Sequence, residues 1–112
     1  MTSCNAETAQ KMLSPVPYDH GFHFFMPEGH YTDETATSLC SFLRDLGSAD
    51  AESIKFHFER ADFQKWIRTT IGDEELANRI DKLDKKLPEE NLEQQLIGIV
   101  QKRISELQLT DT

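Results

Sequence analysis

The chain has 112 residues, a formal net charge of −8, and 38% hydrophobic against 29% charged residues. That length fits one domain with one core, and the composition excludes a low-complexity or fibrous chain. No apolar run approaches the ~20 residues that span a bilayer, and the start, Met1-Thr2-Ser3-Cys4, carries no basic and apolar leader; a cytoplasmic protein with no membrane attachment is expected.

The 20 acidic residues outnumber 12 basic ones, and both signs occur on either side of Ser48 with no basic stretch. Nucleic-acid binding needs Lys and Arg set against phosphates and is not expected. Cys4 falls in the N-terminal tail and Cys40 in a helical pattern; two such thiols in a cytosolic chain stay reduced and unbonded to each other.

In chain order, residues 1–17 read as a flexible tail that gains order by lying over the domain, with room for one short helical turn at Ala6 to Leu13. In Phe22-His23-Phe24-Phe25-Met26, residues Phe22, Phe24 and Met26 alternate as one face of an extended segment. No second strand-like run offers itself, so the segment is expected to pack on helices. Pro27-Glu28-Gly29-His30 makes a turn, and Tyr31 to Thr37 reads as a loop rich in Thr and acid.

Helical periodicity begins at Thr37 or Ser38, either of which is an N-cap type. Leu39, Phe42, Leu43 and Leu46 form one face, and Gly47 is expected to supply a left-handed end. Asp50 is the next N-cap. Ile54, Phe58 and Ala61 then share a face, whereas Phe63, Trp66, Ile67 and Thr70 lie nearly opposite. This flip predicts two helices, about 51–60 and 63–70, meeting at Ala61-Asp62 with Asp62 as N-cap. Gly72-Asp73 ends one helix and caps the next, which runs to about Lys86 with Leu76, Ala77, Ile80 and Leu83 inward. A last helix runs from Pro88 to about Gln108. Its stripe of Leu92, Leu96, Ile97, Ile99, Val100, Ile104 and Leu107 spans about 160°. The expected fold is all-α: a small bundle of about five helices over residues 18–108, with the extended segment packed on it and a short tail at 109–112.

Gly29-His30-Tyr31-Thr32, Ala36-Thr37-Ser38-Leu39, a His57-x-x-Arg60-x-Asp62-Phe63-x-x-Trp66-Ile67 run and Gly72-Asp73-x-x-Leu76-Ala77 together resemble a family of small archaeal and bacterial proteins of unknown function. The resemblance covers about Phe22 to Ile80. It implies a helical fold and a prokaryotic source, and no activity. The chain departs from the family pattern at Asp33 and Ala61, where glycine is frequent.

His57, Arg60 and Asp62 form the densest polar group, His57 and Arg60 sharing a helix face. One reading makes His57 a base oriented by Asp62; the other makes Asp62 a cap and Arg60 an ion-pair partner between two helices, and it is preferred. Trp66 and the Phe22, Phe24, Phe25 group mark a core or, alternatively, a ligand pocket. His20-x-x-His23 would chelate a metal only if helical, and neither cysteine completes a zinc set. Nucleophile elbow, phosphate loop and paired-carboxylate signature are all missing. No catalytic residue, cofactor or metal is expected. The leading functional expectation is a non-catalytic interaction or regulatory module with a protein partner, or self-association through the C-terminal helix. The alternative is a small-molecule-binding or enzyme-accessory domain whose surface is His57, Arg60, Asp62 and Trp66.

Overall fold

The computed structural model describes residues 6–111. Cys4 and the first part of the tail lie outside the described residues. Helix α1 spans Ala6–Leu13 and leads through a single turn of 3₁₀ helix at Tyr18–His20 into strands β1 (Phe22–Phe25) and β2 (Tyr31–Ala36). Five helices follow: α2 (Leu39–Ser48), α3 (Ala51–Glu59), α4 (Asp62–Trp66), α5 (Glu74–Asp81) and α6 (Glu89–Asp111), with a π-helical turn at Ile67–Ile71 between α4 and α5.

The architecture is therefore mixed α/β, not an all-α bundle of about five helices: among the described residues six helices accompany a two-stranded antiparallel sheet, with 67% helical and 10% in strands. The partner strand is the Thr- and acid-rich segment read as a loop. Phe22 pairs with Ala36, His23 with Thr35 and Phe25 with Tyr31, so β2 carries extra residues opposite Phe24. This bulge breaks the period-two pattern that marks a strand. Asp33 absorbs it with a left-handed φ of 69°, and the Thr32 hydroxyl fills the ladder gap by donating to the Phe24 carbonyl at 2.9 Å. Gly29, at φ 96°, closes the hairpin, its N–H donating to the Met26 carbonyl at 2.8 Å.

Within β1, Phe22 and Phe24 are buried while Phe25 is more than a third exposed, as their alternation requires. The buried rings join Phe42, Phe63 and Trp66 in one aromatic cluster, Phe22 lying 5.0 Å from Phe63 and Phe42 5.3 Å from Phe63 by ring centroids. Leu39, Phe42, Phe58, Phe63, Trp66, Ile67, Leu76 and Ile80 are all buried, and Leu43 packs partly buried against them.

Long helix α6 is the element on which α1, α2, α3 and α5 pack. Leu92, Leu96, Val100, Ile104 and Leu107 are buried in the core, with Ile97 and Ile99 partly buried beside them. Ala9 of α1 is fully buried, and the Val16 amide donates to the Thr37 carbonyl at 2.7 Å, fastening the segment before β1 to the body of the domain.

Ser38 caps α2 in a capping box with Ser41, each side chain meeting the other's backbone N–H. Gly47 stays inside α2, which runs to Ser48 with Ala49 as its extended C-cap. Asp50 caps α3, accepting from the Glu52 amide at 2.9 Å. Asp73 caps α5, and α5 ends at Asp81, short of the expected Lys86. Asp73 is also fully buried and takes a two-pronged ion pair from Arg103 of α6, at 2.8 and 3.0 Å.

Candidate functional site

The segment 51–60 orients two polar residues one helical turn apart, Ser53 and His57, toward β1. They meet the two main-chain groups of one residue. The Ser53 hydroxyl donates to the Phe25 carbonyl at 2.7 Å, and the Phe25 N–H donates to His57 Nε2 at 2.8 Å. Helix α3 thus satisfies an edge-strand residue that would otherwise carry unpaired backbone groups.

The Phe25 bond fixes the histidine tautomer. Nε2 accepts, so the proton sits on Nδ1 and is donated to Asp62 Oδ2 at 2.9 Å. His57 is almost wholly buried. Burial pushes its pKa below the ordinary imidazole range, against the opposing pull of Asp62. The ring is neutral at neutral pH, and its contact with Asp62 is a hydrogen bond of a neutral imidazole. Both ring nitrogens are occupied within the protein, so His57 has no lone pair left with which to take a proton from a substrate.

Between α3 and α4 the chain turns through Ala61, a non-glycine residue at φ 62° and ψ 26°. The change of apolar face across Arg60-Ala61-Asp62 is realised as this left-handed kink. Asp62 is the first residue of α4 and caps nothing: Ala61 holds the N-cap position without a side-chain bond. The carboxylate instead serves His57 and sits 3.5 Å from Arg60 Nε. The Arg60 guanidinium lies 4.9 Å above the Phe56 ring.

These elements enclose a cleft of about 620 Å³. One wall is the start of the hairpin: Gly21, Phe22, His23 and Phe25, with Gly29 at the turn. The other is the α3–α4 corner and the π-turn: Phe56, His57, Arg60 and Asp62, then Lys65, Trp66, Thr69 and Thr70. Trp66 is 7% exposed and anchored by its indole N–H, which donates to the His20 carbonyl at 2.9 Å. Gly21 is demanded by the hairpin's close approach: a Cβ there would stand 2.7 Å from the Ala36 carbonyl oxygen and 2.8 Å from the Thr35 methyl. The widened π-turn presents Thr69 and Thr70 to the cleft; such turns recur at functional sites.

All four candidates drawn from the sequence, His57, Arg60, Asp62 and Trp66, line this one cleft. His20 and His23 fall in different elements, the 3₁₀ turn and β1. Among the described residues no group of three or more His, Cys, Asp or Glu side chains comes together as a metal-ligand set. Phe56, Lys65, Thr69 and Thr70 were not signalled. Lys65 and the threonines acquire their place from the π-turn and the Ala61 kink, which helical periodicity does not encode.

The model of a family described as a family of unknown function (DUF5752) matches residues 29–112. The match takes in β2 and every helix from α2 onward, reaching the C-terminal helix beyond the motif-bearing stretch. No curated protein and no solved structure matches the chain. On the breadth of the family match, the chain belongs to this family of unknown function.

Proposed function

We propose that this member of the DUF5752 family is a small-molecule-binding domain that uses the cleft between β1 and the α3–α4 corner, and that it binds without catalysing a reaction through His57. One observation carries the reading. Four residues of the α3–α4 corner, singled out for their chemistry, face the distant residues of β1 across a single concavity whose volume lies in the range of about 300–1,000 Å³ usual for ligand pockets. Phe22, Phe25, Phe56 and Trp66 give it apolar surface among polar and charged side chains, a mixture that can bury a ligand's body and fix its orientation.

The non-catalytic half of the reading rests on His57. A general base needs a free lone pair near the substrate, and Nε2 is spent on the Phe25 amide. A protein-interaction role draws less from the structure, because the wide apolar stripe of α6 packs into the core. Among the described residues no helix is long and apolar enough to cross a membrane.

Titration with the neutral aromatic dye N-phenyl-1-naphthylamine tests the reading. Saturable enhancement at one dye per chain is expected, lost in Thr70→Phe, which fills the cleft, with the melting temperature of that variant unchanged. No enhancement in the parent protein, or equal enhancement in Thr70→Phe, contradicts it.

A further inference from the structure

A chain of net charge −8 would be expected to repel anions over most of its surface. The cleft departs from that average. Its charged lining is Arg60 and Lys65 against Asp62, with His57 held neutral by burial. The neighbouring depression beside α3, lined by Glu52, Lys55, Glu59 and Glu89, has the opposite balance. Positive charge is therefore localised at the mouth of the aromatic cleft.

A third polar group on the opposite wall matches this pattern. His23 Nδ1 is 2.8 Å from Thr35 Oγ1, which is 2.5 Å from the Tyr31 hydroxyl, itself 2.9 Å from the Tyr18 hydroxyl. Tyr18 is largely exposed, so the chain of hydroxyls runs from solvent to the cleft wall. It can be polarised in either sense. When each hydroxyl donates toward His23, Nδ1 accepts and Nε2 carries the ring proton. A donor then stands on the hairpin wall, across from Arg60 and Lys65. Tyr18 and Tyr31 pack edge-on against the imidazole at centroid distances of 5.2 and 6.0 Å, holding its plane.

We infer that the ligand of this cleft is a small organic anion with an aromatic or other flat apolar body, its acid group placed between Arg60 and Lys65 on one side and His23 on the other. The inference rests on the small-molecule reading above and specifies its chemistry. The aromatic walls of Phe22, Phe25 and Trp66 take the body by apolar burial and edge contacts. The two cations supply charge-assisted hydrogen bonds, stronger than neutral ones. Asp62 does not cancel both cations: it brings one negative charge against two positive ones, and that charge lies 3.5 Å from Arg60 Nε.

The probes are a pair of dyes with the same N-phenylnaphthylamine body, one bearing a sulfonate (8-anilino-1-naphthalenesulfonate) and one bearing no charge (N-phenyl-1-naphthylamine). The sulfonate dye should bind about tenfold more tightly than the neutral one, the factor one charge-assisted hydrogen bond supplies. Arg60→Gln and Lys65→Gln should each weaken the sulfonate dye several-fold, and added salt should do the same, while the neutral dye is unaffected. His23→Leu should weaken the sulfonate dye selectively as well. If the sulfonate dye binds no better than the neutral one, or if the glutamine variants leave its affinity unchanged, the anion inference is overturned while the small-molecule cleft stands. If neither dye binds, the small-molecule reading itself has failed.

Discussion

The backbone amide of Phe25 and the side chain of His57, 32 residues apart, form a 2.8 Å hydrogen bond that joins the strand wall of the cleft to its helical wall. Protonation of Nε2 would place two donors face to face. Because burial lowers the folded-state pKa of His57, the unfolded chain binds the proton more readily. The stabilisation is therefore complete above the unfolded value of about 6.5 and is lost as pH falls below it toward the folded value. Thermal melts should show stability declining from about pH 6.5 downward, with a shallower decline in His57→Gln. Parallel pH profiles for the two proteins would remove His57 as the cause.

Asp62 accepts from His57 Nδ1 and does not cap α4, so its substitutions should sort by hydrogen-bonding capacity. Asp62→Asn keeps an acceptor oxygen and should cost less than about 1 kcal/mol, while lowering the His57 pKa further because the negative charge that raised it is gone. Asp62→Leu leaves the buried Nδ1–H without a partner and should cost about 1–3 kcal/mol. Denaturant unfolding, with imidazole titration by NMR, reads both effects. Equal losses in the two variants would show that charge, through Arg60, outweighs the bond to His57.

Ala61 holds a left-handed backbone that costs a non-glycine residue about 1–2 kcal/mol. Ala61→Gly should relieve that cost, offset in part by greater freedom of the unfolded chain, for a net gain of about 0.5–1 kcal/mol. Ala61→Val should destabilise, since a β-branched residue tolerates this region least. A lower melting point for the glycine variant would mean that the kink carries no strain.

Arg103 and Asp73 form a buried, two-pronged pair that holds the start of α5 to α6, and Arg79 extends it through Glu106. Arg103→Met strands the Asp73 charge and should cost about 3–5 kcal/mol. Adding Asp73→Asn, which keeps the cap of α5, should restore much of the loss. A double variant no more stable than Arg103→Met would contradict the account.

The helices from Leu39 onward were legible because their apolar residues keep one face and their caps are of ordinary types: Ser38, Asp50 and Asp73. The break at Ala61 was legible as a change of face. The departures from the family's glycine at Asp33 and Ala61 argued against tight turns there, yet both residues adopt the left-handed backbone that glycine favours. Strand β2 was not legible, because its residues are polar and the bulge opposite Phe24 disrupts their alternation. The cleft was legible only as separate residues. What brings His57, Arg60 and Asp62 against β1 is the kink at Ala61 together with the Ser53 and His57 bonds to Phe25, and those long-range pairings leave no periodic trace. The Asp73–Arg103 pair escaped for the same reason: the cap type of Asp73 was visible, its partner in α6 was not.

The central claim is that the concavity between β1 and the α3–α4 corner is where this protein takes its ligand. The most direct measurement is a ¹H–¹⁵N correlation spectrum recorded through a titration with 8-anilino-1-naphthalenesulfonate. The account predicts that the largest shifts fall on the amides of Gly21, His23 and Phe25, on Thr70, and on the Trp66 indole N–H bonded to the His20 carbonyl, saturating together. Shifts that instead centre on α1 and α6, or spread without saturation while these signals stay still, would contradict it.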